Sequence, residues 1–171
     1  MANPEDSAED IFQPDGRLRL DLLTEPALEA LQESLSQARE TRWDSVRSPH
    51  VFMGLLAVPD AGMRNWGERL ETDLSNILTQ FQELFRQEEC DGEPLVALNR
   101  EFLSDKVIRL LREAYQRASD NQRSRITPMD LLISLLTTPN SIVAECFERI
   151  GVTAAKLTEL AVIAEHHAHP K

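Results

Sequence analysis

Apolar residues fall along this chain in stripes spaced three and four positions apart, the period of a helix with one buried face. One stripe, Ala27, Leu28, Leu31, Leu35 and Ala38, follows Thr24, a residue suited to cap a helix N-terminus; another, Val107, Ile108, Leu111, Tyr115 and Ala118, follows Ser104. The two stripes stand eighty residues apart, and the relation is wider than either. Laid without a gap on residues 103–161, residues 23–81 match at only nine of 59 positions, yet 19 of the 24 apolar positions in the first copy are apolar in the second. Composition alone would give about 11. What recurs is the buried face.

Each copy reads as four helices. SPHVFMGLL (48–56) and PMDLLISLL (128–136) are the second helices, with Ser48 and Thr127 as hydroxyl caps ahead of a proline in the first turn. Pro59-Asp60 and Pro139-Asn140 turn into third helices, and Asp73 and Thr153 cap fourth ones. Leu55, Leu56, Leu135 and Leu136 fall on the inner side and are expected in the core. Helices of about ten residues do not persist alone in water, so they must hold each other. The pattern predicts an all-α protein of two pseudo-symmetric four-helix repeats, residues 18–86 and 103–165, joined by a linker over 87–102. Leu95, Val96, Leu98 and Phe102 suggest that the second half of the linker packs down. Residues 1–17, with five acids and one arginine, read as a disordered acidic tail, and residues 166–171 as a flexible one.

Composition narrows the function classes. With 171 residues, 42% of them hydrophobic, the chain can bury a core as one domain or two fused halves. Six glycines and one tyrosine amid many Leu, Ala, Glu, Gln and Arg agree with helices throughout. A net charge of −11 without a basic run disfavours nucleic acid. Cys90 and Cys146 have neither disulfide-framework nor metal-ligand spacing, no apolar stretch reaches the roughly 20 residues of a membrane span, and the acidic N-terminus resembles no leader. The expectation is a soluble, cytoplasmic monomer without a cofactor.

Catalytic chemistry finds little footing. Glu33 and Glu113 recur as carboxylates but lack a nearby nucleophile or base, and no G-x-x-x-x-G-K-[ST] phosphate loop is present. His166, His167 and His169 read as solvated tail residues rather than metal ligands, and His50 as a local hydrogen-bonding group. Trp43 and Trp66 have no aromatic counterparts eighty residues on, where Arg123 and Cys146 stand. Trp66 is expected in the core, and Trp43, in the polar loop RETRWDSVR, as an exposed contact residue.

RLDLLTEPALEALQESLSQA followed by SPHVFMGLL resembles the start of the Clp N-terminal domain, the doubled helical module ahead of the ATPase rings in ClpA, ClpB and ClpC. The T-E-H-L-L-x-[GA]-L-L signature of that family is similar to residues 48–56 and, degenerately, to 128–136; its closing G-[VI]-x-x-x-x-L is similar to residues 151–157. The resemblance covers about residues 18–165. It implies a non-catalytic module that binds proteins or peptides in a groove between the copies, as adaptor, recruiter or regulator of a Clp-type unfoldase or protease. It also leaves open a regulator docked on the protease core, or a relative of the type VI secretion ATPase N-domain. By position in the copies, Leu23, Thr24, Pro49, His50, Met129 and Asp130, with Trp43, are the groove candidates. Pro49 and Met129 stand where some relatives carry glutamates that receive phosphorylated arginine, so that recognition is not expected, and an apolar ligand is.

Overall fold

The computed structural model describes residues 11–87 and 96–168. Eight helices follow in order: α1 (Glu25–Glu40), α2 (Ser48–Ala57), α3 (Ala61–Arg69), α4 (Leu74–Leu84), α5 (Asp105–Asp120), α6 (Pro128–Thr137), α7 (Ile142–Glu148) and α8 (Ala154–Ala168). The described residues contain no strand, only isolated bridges. Bounds of α1 and α5, and of α2 and α6, differ by eighty at both ends, so the predicted repeat is real in the backbone. Its ends repeat as well. Arg42 and Gln122 both take a positive φ, and the next N–H donates back to Ala38 O and Ala118 O, each at 2.8 Å. This is the Schellman closure, in which a left-handed residue satisfies the last orphan carbonyls.

The copies are joined by exchange. The N–H of Thr24 donates to Ile126 O (3.0 Å) and that of Ile126 to Leu22 O (2.7 Å). Eighty residues on, Ser104 donates to Val46 O (3.0 Å), and Val46 to Phe102 O (2.7 Å). Each copy thus pairs the strand-like residues before its first helix with those before the other copy's second helix, the mark of a pseudo-two-fold axis. On the axis lie α2 and α6, each buried along nearly its whole length, with Leu55, Leu56, Leu135 and Leu136 in the core as the leucine pattern predicts.

Three local expectations change. Ser48 does not cap α2; it is the first helical residue, Arg47 occupies the cap, and the imidazole of His50 accepts the Arg47 N–H at 2.9 Å. Pro139-Asn140 turns into α7 as expected, with Asn140 at φ 57°, but the cap falls one residue later than Asp60, on Ser141, and α7 is shorter than α3. Residues 11–17 are not free tail, because Ile11 and Phe12 are buried and Arg19 N–H donates to Ile11 O (2.8 Å). Two apolar side chains suffice to anchor a segment whose one acid, Asp15, stays exposed; residues 1–10 lie outside the described part. Finally, α8 runs on through His166 and His167 to Ala168. Val96 and Leu98 pack against the core as expected, whereas Leu95 and Cys90 lie outside the described residues.

Candidate functional site

The pseudo-symmetry sets up one comparison that defines a site. Helix α3 of the first copy packs along α8 of the second, so α7 should pack along α4 in the same way, yet α4 and α7 make no comparable close approach. The side chains differ as well. On α8, Ala161 and Ala164 are small and fully buried, and Trp66 of α3 is fully buried with its indole N–H on Leu157 O (3.1 Å), while Gly62 and Gly67 of α3 leave room for Met129 and Leu74. At the equivalent positions of α4 and α7 stand the larger Phe81, Leu84, Ile142 and Phe147, and Cys146 replaces the indole.

What remains is an apolar groove of about 210 Å³ lined by Leu70, Ile77, Phe81, Leu84, Cys146 and Ile150, among others. It continues past Phe85 to Ile142. Large hydrophobic residues are exposed at four described positions, and three of them border this groove: Leu84 at 56%, Ile142 at 39% and Ile150 at 72%. Such clustering marks an interaction surface, whereas a single exposed leucine would not. The floor is aromatic, with Phe81 against Phe147 and Phe85. Burial pushes the Cys146 thiol up from its ordinary pKa, so it lines the groove as a neutral sulfur.

The residues singled out from sequence lie elsewhere. Leu23 and Thr24 sit on the inter-copy bridge, so their placement at the copy interface holds, but Leu23 is buried and Thr24 half-buried with its hydroxyl on Ile126 O (3.1 Å). Pro49 is buried. Met129 is fully buried, and its side chain fills the space beside Gly62 of the other copy. Met129 is therefore spent on joining the copies and Pro49 is closed to solvent, so neither presents the apolar surface expected to face a ligand. Trp43 is likewise not exposed: its indole donates to Phe85 O, its ring meets His50 edge-on (5.5 Å), and Arg47 lies over it (4.9 Å).

His50 and Asp130, eighty residues apart at the third position of α2 and α6, form two equivalent polar nodes with opposite chemistry. Asp130 accepts the Thr127 N–H (2.9 Å), completing a capping box, and is buried between Arg117 (2.7 Å) and Arg123, with Glu165 on the far side of Arg117 (2.8 Å). Burial works to raise its pKa, but the bonds from Arg123, the Thr127 N–H and Arg117 outweigh it and hold the carboxyl below the usual range. In the first copy the corresponding residues are uncharged, Gln37, Trp43 and Phe85, and the capping acceptor is accordingly a neutral imidazole whose other nitrogen meets Thr41 Oγ1 (3.1 Å).

Burial, reinforced by the charge of Arg47, lowers the His50 pKa from its ordinary 6.5 to about 4. Between those values the unfolded chain binds the proton and the folded one does not, so stability is complete above pH 6.5 and declines as the pH falls. Wild type should lose about 2.5 kcal/mol more than His50→Asn between pH 7 and 4.5. Urea midpoints of the two proteins across that interval would test this; parallel curves would refute it.

Residues 102–168 match the family described as the Clp repeat (R) N-terminal domain. Solved structures share the architecture of both repeats. The N-terminal domain of the chaperone ClpD from Arabidopsis thaliana superposes with TM-score 0.66 at 19% identity, covering 86% of this chain and 97% of that one. The Hsp104 N-terminal domain from Candida albicans gives 0.66 at 12%, covering 82% and 89%. The ClpV N-domain in complex with a VipB peptide gives 0.61 at 19%, covering 85% and 89%. A comparison with curated proteins finds no match. The fold is that of a Clp N-terminal domain, all-α and doubled, and the resemblance read in the sequence holds. The family match falls on the second repeat, and the structural likeness extends over both.

Proposed function

We propose that this protein is a non-catalytic protein- or peptide-binding module that works as an adaptor, recruiting or regulatory factor for a Clp-type unfoldase or protease in the cytoplasm. The observation that carries the reading is the apolar groove between α4 and α7, left open on a fold of which one relative has been solved with a peptide bound. Binding energy in such a groove comes from a few buried side chains, not from contact area as a whole. Among the described residues no three His, Cys, Asp or Glu side chains are placed to hold a metal ion. Nor is any described helix long and apolar enough to cross a membrane.

The test is capture from a native lysate by wild type and by the Leu84→Asn, Ile150→Asn double variant, whose two sites are exposed and tolerate polar residues. Wild type should enrich Clp ATPases, their protease subunits or their clients, and the variant should lose them with its helicity unchanged. Enrichment of protease-core subunits alone would favour the docking regulator. Equal capture by both proteins would remove the groove from the function.

A further inference from the structure

The groove is an interface that the molecule completes on one side of its pseudo-two-fold and leaves incomplete on the other. Trp66 and Leu157 make the closed version; Cys146 and Ile77 occupy the same two positions in the open one. Beside the larger residues of α4 and α7, the open half lacks the one indole that the closed half has. We infer that the α4/α7 groove is a receptor for a bulky aromatic side chain, tryptophan above all, presented by a basic segment of another protein. This inference rests on the protein-binding reading and names the partner's chemistry.

Three observations carry it. The first is size: a cavity of about 150 Å³ lined by aliphatic and aromatic residues takes up benzene, and this groove offers about 210 Å³ with Phe81 and Phe147 as ring partners. The second excludes self-occupation. Every aromatic residue of the chain lies in its described part and none is exposed; the exposed large hydrophobics there are all aliphatic, so a second copy has no ring to offer. The third is charge. Among the charged residues that line the groove or adjoin its lining in sequence are five acids, Glu71, Asp73, Glu83, Glu145 and Glu148, against three arginines, on a chain of net charge −11. Lysine or arginine flanks on the partner are drawn to that field, and acidic flanks are repelled.

The probes are three synthetic peptides: KKLAWALKK, the same peptide with leucine in place of tryptophan, and the same with glutamate in place of every lysine. The tryptophan–lysine peptide should bind at least about tenfold more tightly than either other by calorimetry, a margin of about 1.4 kcal/mol. Its amide shift changes should centre on Ile77, Leu84, Cys146 and Ile150. Cys146→Trp, which supplies the missing indole from within, should abolish binding. Should that variant fail to fold, Leu84→Asn, Ile150→Asn decides, with a loss of at least tenfold expected. Equal affinity for the tryptophan and leucine peptides, preference for the acidic one, shifts centred elsewhere, or no binding at millimolar concentration would each overturn the inference. A lysate partner that still requires Leu84 and Ile150 would then leave the groove as a protein-binding site of other specificity, whereas equal capture by wild type and variant would remove the groove from the function.

Discussion

Gly54→Ala should destabilise the protein by at least about 3 kcal/mol, beyond the usual range for adding one methyl to a core. A Cβ at this position would lie 2.2 Å from the Ala30 carbonyl oxygen and 2.5 Å from Ser34 Oγ. The nearest obstacle is backbone in the middle of α1, which cannot swing aside as a side chain can, so α1 and α2 would have to separate along their contact. In the second copy, where α5 and α6 approach less closely, Ser134 and Ala114 stand at the positions of Gly54 and Ser34. Gly151→Ala is the control. Its Cβ would meet nothing within 4 Å, and only its φ of 90° resists, so the loss there should reflect local strain of about 1–3 kcal/mol without helix displacement. Urea unfolding of both variants would compare them; a Gly54→Ala protein as stable as wild type would show that the two helices are not in close contact.

Asp130→Ala should cost about 3–5 kcal/mol, as expected when one partner is removed from a buried ion cluster. The carboxylate is fully inaccessible and serves two arginines and one backbone N–H at once. Without it, Arg117 retains Glu165, while Arg123 loses its principal partner and the Thr127 N–H loses its acceptor. Because the cluster is shielded, salt should restore little of the loss. Asp130→Asn, which keeps an acceptor for Thr127 but not the charge, should fall between the two. A loss under about 1 kcal/mol in Asp130→Ala would mean that the charges are solvated in the native state.

The helices and their repetition were legible because burial imposes a period on the sequence, and the eighty-residue register carried this period even where identity had decayed. The polar node at Asp130 was half legible: its capping box follows from Thr127, but Arg117 and Glu165 come from helices whose proximity only tertiary packing decides. Trp43 illustrates the same limit. Its neighbours RETR and DSVR are polar, yet the carbonyl of Phe85, forty-two residues away, gives its indole a partner and draws it in. The groove was present in the sequence as a mismatch, Trp66 opposite Cys146, whose meaning depends on knowing that α3 meets α8 and α4 meets α7 across the pseudo-axis. Pro49 and Met129 were placed by resemblance to residues that face ligands elsewhere; here Gly62 leaves a space beside α6 that Met129 fills.

The exchanged bridges have a kinetic meaning. Leu23 pairs with Ile126 and Val46 with Leu103, so the link that orients each helical hairpin belongs to the other half of the chain. Neither half can finish its own turn into α2 or α6 before its counterpart arrives, and closing these distant pairings carries the entropy of long loops. A ribosome-bound N-terminal half would therefore remain open at Val46 until Leu103 had emerged.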